Sequence, residues 1–365
     1  MPKRSAQEIH MSRKFFIELA NSGHAVPIGA DIVLHEKEDH DAIVNDGKRL
    51  GMVIEETARR FDTPLAMPLM DLRIEKAVML EAMGVPEEVI ETFHFHNAPR
   101  PDEIASIEVK ISGSGNARLR ATCGAIRYIV ENTELFPMGM CIGPFSLVTK
   151  LMDDPITTVY MKGMGMDAGH DPAVGILDSL LDLSVRVIIH YLRMQIDAGA
   201  RAVIMCEPAA NVVYFSPKQI REGSDIFDRC VIDNNRKIRD FLDGAGVDLV
   251  FHDCGDLDDA MISRFVTLYP VMISLGSSRK LWEDERLIPK DIVIYGNMPT
   301  KKFYSDEFSR EDAVAMAGEL VRRMREAGHP FILGSECDVL SVPGREAVIK
   351  NKVHAFLGCA CGSCA

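Results

Sequence analysis

Stretches of apolar residues ending in polar or glycine-rich turns recur along the whole chain. They are "HAVPIGADIVL" (24–34), "PLAMPLMD" (64–71), "LFPMGMCIGPF" (135–145), "ARAVIMCEP" (200–208), "VDLVFHDCGD" (247–256), "VMISLG" (271–276), "DIVIYGNMP" (291–299) and "FILGSECD" (331–338). Several are unbroken apolar runs, the pattern of parallel strands covered on both faces rather than the alternation of a half-solvated sheet. Between them lie segments of helical period. "ILDSLLDLSVRVIIHYLRMQIDAGA" (176–200) repeats its apolar residues every three to four positions and has a glycine near its end. "SREDAVAMAGELVRRMREAGH" (309–329) opens with Ser309-x-x-Asp312, a capping box, and stops at Gly328.

Eight strands alternating with helices predict an α/β protein of (β/α)8 TIM-barrel type. The rival is an open doubly wound sheet, but "GSGNARLRATCG" (113–124) lacks the G-x-G-x-x-G spacing of a phosphate-binding turn. The whole chain, 1–365, reads as a single barrel domain with an N-terminal helical extension over 1–23. The segment 97–120, "NAPRPDEIASIEVKISGSGNARLR", reads as an inserted hairpin.

Length and composition agree with one large barrel: 365 residues, 47% hydrophobic. A formal net charge of −13 argues against nucleic acid as a partner. The basic start lacks the apolar core of a signal peptide, and no run reaches the length of a membrane span, so a cytoplasmic protein is expected. Nine cysteines scattered over the chain do not form a secreted disulfide framework. Cys141, Cys206 and Cys230 read as packed residues. Cys359, Cys361 and Cys364 in "CACGSCA" read as exposed thiols at a frayed end.

Candidate chemistry gathers where strands end. His252 and Cys254 stand two apart at the end of one run, so both side chains share a face. Cys337 stands at the end of the last run, and strand ends converge at a barrel mouth. Two thiolates and a neutral imidazole with a fourth position open make a donor set suited to catalytic zinc. Glu207 ends an earlier strand, either as a site residue or as a helix cap. Glu336 competes as a fourth ligand but should face away from Cys337. Asn297 either holds substrate or caps a helix, and Asp71 reads as structural. The methionines of "YMKGMGMDAGH" (160–170) suggest an adaptable loop.

H-x-C on a mid-barrel strand with a late cysteine resembles the zinc corrinoid methyltransferases of the uroporphyrinogen decarboxylase superfamily. "VPIGADIVL" looks like that superfamily's first strand, "IGPFSLVTKLM" like its G-P-F/T motif, "AGARAVIMCEPAAN" like the strand ending in an acid, and "YGNMP" like the strand ending in Gly-Asn. The resemblance implies zinc on His252, Cys254 and Cys337, a catalytic role for Glu207, and binding roles for Gly143 and Asn297. It also implies a corrinoid, carried by a separate protein because this chain has no D-x-H-x-x-G cobalamin signature. A homodimer is left open. The arginine-rich segment with which true decarboxylases hold their polycarboxylate is not apparent, which argues against porphyrinogen decarboxylation.

The acidic "GSECDV" departs from the glycine-flanked cysteine of the methylcobamide:coenzyme M enzymes. It looks more like the methyltransferases of O-demethylase systems, implying a methyl ether, methoxylated and aromatic, as donor to cobalt(I). Transfer to the thiol of coenzyme M is the alternative. A metal-stabilised binding module is the non-enzymatic reading, and a barrel's large core gives it no need of zinc to fold.

Overall fold

The computed structural model describes residues 6–113 and 115–360, with side chains of 6–12 and 112 left aside. Eight parallel strands form the sheet: β1 (Ala25–Ile28), β2 (Leu65–Ala66), β3 (Phe136–Ile142), β4 (Ala202–Cys206), β5 (Asp248–Asp253), β6 (Met272–Leu275), β7 (Val293–Met298) and β8 (Phe331–Asp338). Each lies inside one of the eight apolar runs. The hydrogen-bonded order β1-β8-β7-β6-β5-β4-β3-β2 makes a nearly closed barrel, open only between β1 and β2. The first run holds more than its strand: after Gly29 the chain turns into a helix, Ala30–Leu34.

Alternation sorts the strand residues into two apolar layers. Met138, Met140, Ile204, Val250, Met272, Val293 and Ile332 fill the barrel. Val203, Met205, Leu249, Phe251, Ile273, Ile294 and Leu333 face outward under the helices. The longest helix, Pro172–Asp197, covers the sheet with Leu177, Leu180, Leu181 and Ile188. The predicted capping box is present: Ser309 N–H donates to Asp312 Oδ2 at 2.8 Å and Asp312 N–H to Ser309 Oγ at 3.0 Å. That helix, Arg310–Ala327, ends at Gly328 with φ +62°, a left-handed conformation that only glycine takes without penalty.

The floor of the barrel is closed by the helix α1 (Ala6–Asn21). Phe16 and Leu19 enter the interior cluster beside Phe136. Arg13 donates to the carbonyls of Pro270 (2.9 Å), Asp291 (3.2 Å) and Tyr269 (2.6 Å), all just upstream of β6 and β7.

The segment 97–120 is not a hairpin. It forms a helix over Pro101–Ser112 and enters a second one at Ala117. "IEVKI" carries both periods, Ile107-Val109-Ile111 for a strand and Ile104-Ile107-Ile111 for a helix. Burial decides it: Ile104, Ile107 and Ile111 are at most 9% exposed while Val109 is 75% exposed. Pro101 at the first helical position, with Glu103 accepting from Arg100 N–H at 2.8 Å, was the overlooked start signal. The reading of Cys359 as an exposed thiol is also corrected, since it is buried and disulfide-bonded. Cys361 and Cys364 lie outside the described residues. Among the described residues no helix is long and apolar enough to cross a membrane.

Candidate metal centre at the barrel mouth

His252 is the last inward-facing residue of β5. Val250 packs inside the barrel while Leu249 and Phe251 pack outside, so position 252 inherits the interior. It is buried to 1% exposure, and its Nδ1 lies 2.9 Å from Ser274 Oγ, its in-register neighbour on β6. The other ring nitrogen, Nε2, is buried with no partner. A buried polar atom left bare costs on the order of 1–3 kcal/mol, so such an atom calls for an explanation.

Cys254 follows on the turn after β5. Asp253 Oδ1 accepts the N–H of Gly255 at 2.8 Å, fixing that turn. Gly276 passes so close that a Cβ there would meet the Cys254 carbonyl oxygen at 2.7 Å.

Cys337 reaches the same point from β8 by breaking the alternation. Ile332 faces in and Leu333 out, so strict alternation would turn residue 337 outward. Beside it the register with β1 is irregular: Val26 pairs Gly334 but Ile28 pairs Asp338, two residues more on β8 than on β1. One donor atom each of His252, Cys254 and Cys337 lies within 4.8 Å of the others. A shared proton separates the two thiols: Cys254 donates to Cys337, which is pulled down, while Cys254 is pushed up. The bare imidazole nitrogen and the paired sulfurs form a site that could hold a soft metal ion.

The remaining predicted residues take up different posts. Glu207 is fully buried, and burial pushes it up to about 7. Its carboxylate accepts from Phe145 N–H (2.9 Å) and Ser146 N–H (3.2 Å), capping the Pro144–Thr149 helix that follows β3. Gly143 makes room for this, since a Cβ there would stand 1.7 Å from Glu207 Oε2. Glu336 turns away from the metal group and accepts from Ser277 N–H at 2.8 Å. Asn297 donates to the carbonyls of Gly276 (2.8 Å) and Arg279 (3.0 Å), pinning the loop after β6. Asp71 pairs with Arg118 and Arg73.

Three residues at the mouth escaped the sequence reading. Ser274 orients His252. Met70 puts its Sδ 3.9 Å from Cys337 Sγ. Glu75 is buried, pushed by desolvation up to about 8, and accepts from Ile142 N–H at 2.9 Å. A serine in "VMISLG" and a methionine in "PLMD" carry no signal of their own: register with β5 places Ser274 beside His252, and the loop after β2 carries Met70 to Cys337.

The fold and the site together define an α/β barrel, nearly closed, with a His-Cys-Cys group that could hold a metal ion at the C-terminal ends of its strands. Comparison with known families narrows the class: the model for "Uroporphyrinogen decarboxylase (URO-D)" matches residues 56–347. The chain belongs to the uroporphyrinogen decarboxylase family. Among solved structures it is similar to a methyltransferase from Methanosarcina mazei, with a TM-score of 0.61 and 14% sequence identity. That similarity covers 92% of this chain and 91% of the other. No curated protein sequence matches the chain.

Proposed function

We propose that the chain is a zinc-dependent methyltransferase. It moves a methyl group from a methyl ether, of the methoxylated aromatic class, to the cobalt(I) corrinoid of a separate protein. The observation that carries this reading is the convergence of His252, Cys254 and Cys337 within 4.8 Å at the mouth, with His252 Nε2 bare. The methyltransferase likeness of the fold supports it.

Bound zinc would act as a Lewis acid on the ether oxygen, the atom that gains charge as its methyl leaves. The chain's own residues prepare the rest. Ser274 holds the imidazole so that Nε2 points into the mouth, the second-sphere support usual for a ligating histidine. The sulfurs of Cys254 and Cys337 lie together, and once a metal displaced the proton they share, their two thiolates would neutralise a divalent ion. Glu207, near 7, is the proton source proposed for the leaving oxygen. To serve, it releases one of its two amide partners while the other keeps it in place.

The surroundings disfavour a polyanion. Asp253, Asp338 and Glu207 are buried around the group, and burial, by pushing all three up, favours their neutral forms, so none offers an anion a positive partner. Arg279, on the β6 loop, spends its guanidinium on Asp259 and Asp284. A neutral ether needs no cation, whereas a sulfonate or a porphyrinogen's carboxylates would. Porphyrinogen decarboxylation is therefore not proposed.

The test combines metal analysis with turnover. The purified protein should carry one zinc per chain and, given cob(I)alamin as surrogate acceptor and 2-methoxyphenol, should produce catechol as the cobalt(I) spectrum disappears. Zinc-depleted protein should stay folded and inert. Activity only in the other sense, with methylcobalamin consumed by 2-mercaptoethanesulfonate, would replace the ether reading by the thiol one.

A further inference from the structure

Zinc held by three protein donors needs a fourth. The sequence offered two carboxylates for that place, and the structure occupies both elsewhere. Glu207 has its oxygens on the Phe145 and Ser146 amides, and Glu336 turns to the Ser277 amide. Cys206 shares a register position with His252, but it is fully buried and falls outside the 4.8 Å group.

Met70 is different. Its thioether sulfur lies 3.9 Å from the Cys337 sulfur. Two sulfurs bound tetrahedrally to one zinc at ~2.3 Å each would stand about 3.8 Å apart. The neighbouring Asp71 anchors this stretch, its carboxylate paired with Arg118 and accepting from Arg73 N–H at 3.2 Å. Met70 itself is half-buried against the interior cluster, so one side of the sulfur faces the mouth.

We propose that the Met70 thioether is the displaceable fourth donor of the metal centre, in place until the methyl-bearing substrate binds. The inference rests on the zinc reading above and deepens it. A thioether is neutral, soft and a weak ligand, so the affinity for the ion resides in His252 and the two cysteines. Met70 keeps water from the ion, then yields to a neutral ether oxygen without separating charge. A carboxylate in the same place would bind as an anion and resist so poor a competitor. The competing account is that Met70 only fills space beside Cys337, as methionine often does.

X-ray absorption at the zinc edge separates the two, using full-length zinc protein in thiol-free buffer. The wild type should show three sulfurs and one nitrogen. Met70→Leu should show two sulfurs, with zinc still at one per chain, and Cys206→Ala should retain three. Protein labelled with selenomethionine should show selenium in the first coordination shell, a readout that needs no variant. Adding 2-methoxyphenol to the wild type should lower its sulfur count to two. Two sulfurs in the resting wild type, or no selenium bound to zinc, would overturn the role of Met70 and leave the zinc reading standing. A third sulfur that survives in Met70→Leu would overturn it equally. Protein that binds no zinc would sink both.

Discussion

The two ends of this barrel solve opposite problems with the same strands. At the floor, Phe16, Leu19, Phe136 and Met138 make a dry apolar plug, and the Arg13 guanidinium meets three carbonyls and lies 3.5 Å from the Tyr269 ring centroid. At the mouth, His252 Nε2, Asp253 Oδ2, Asp338 Oδ1 and Glu75 Oε2 are buried without partners. Burying polar groups in that state costs stability, and the apolar floor and outer layer supply what offsets it. Stability and chemistry are thus placed at opposite ends of one set of strands, as expected where barrel chemistry sits at strand C-termini.

The strongest way to break this contrast is a pair of truncations. Phe16→Ala should cost about 3–5 kcal/mol in denaturant unfolding, since a fully buried ring leaves a cavity at the floor, with zinc content unchanged. Cys337→Ala should do the reverse: zinc lost on dialysis and turnover abolished, with unfolding of the metal-free protein little altered. If the cysteine variant unfolded as badly as the phenylalanine variant, the site would be structural and the contrast would fail.

Glu207→Gln comes next. Its amide group can accept from only one of the Phe145 and Ser146 N–H groups and presents a donor to the other. A loss of about 1–3 kcal/mol should accompany the fall in turnover. Ser274→Ala should leave the fold intact yet weaken zinc binding about 10–100-fold, as measured by competition with a chelator, because the imidazole loses its orienting partner.

The last prediction is a pH dependence. Desolvation raises Glu75 to about 8 from an ordinary value of 4.5, so the folded chain holds a proton that the unfolded chain releases. The stabilisation is full below about 4.5 and declines as pH rises toward 8. Glu75→Gln cannot ionise, and thermal unfolding between pH 5 and 9 should show a flatter decline than in the wild type. An unchanged slope would remove Glu75 from the buried acids of the mouth.

What could be read without coordinates was whatever local period controls. All eight strands fall within their apolar runs, the capping box at Ser309 closes as spelled, and His252 stands at the end of β5 with Cys254 one residue beyond it, the two close together. The failure at 97–120 has the same origin, since "IEVKI" satisfies two periods and only contact with neighbouring helices chooses between them.

Tertiary structure decided what depends on closure and register. Cys337 meets His252 and Cys254 only where the ring of strands brings the ends of β5 and β8 to one mouth. Ser274 becomes a site residue because the parallel sheet sets it beside His252, and Met70 because the loop after β2 reaches Cys337; their own sequence context says nothing of it. Glu207 could be recognised as an acid at a strand end, but not as the cap of a helix begun on the neighbouring strand. A chain encodes its own periodicity residue by residue, whereas strand neighbours are set by the closed ring as a whole. The three residues that converge at the mouth were therefore legible in the sequence, and the neighbours that surround them were not.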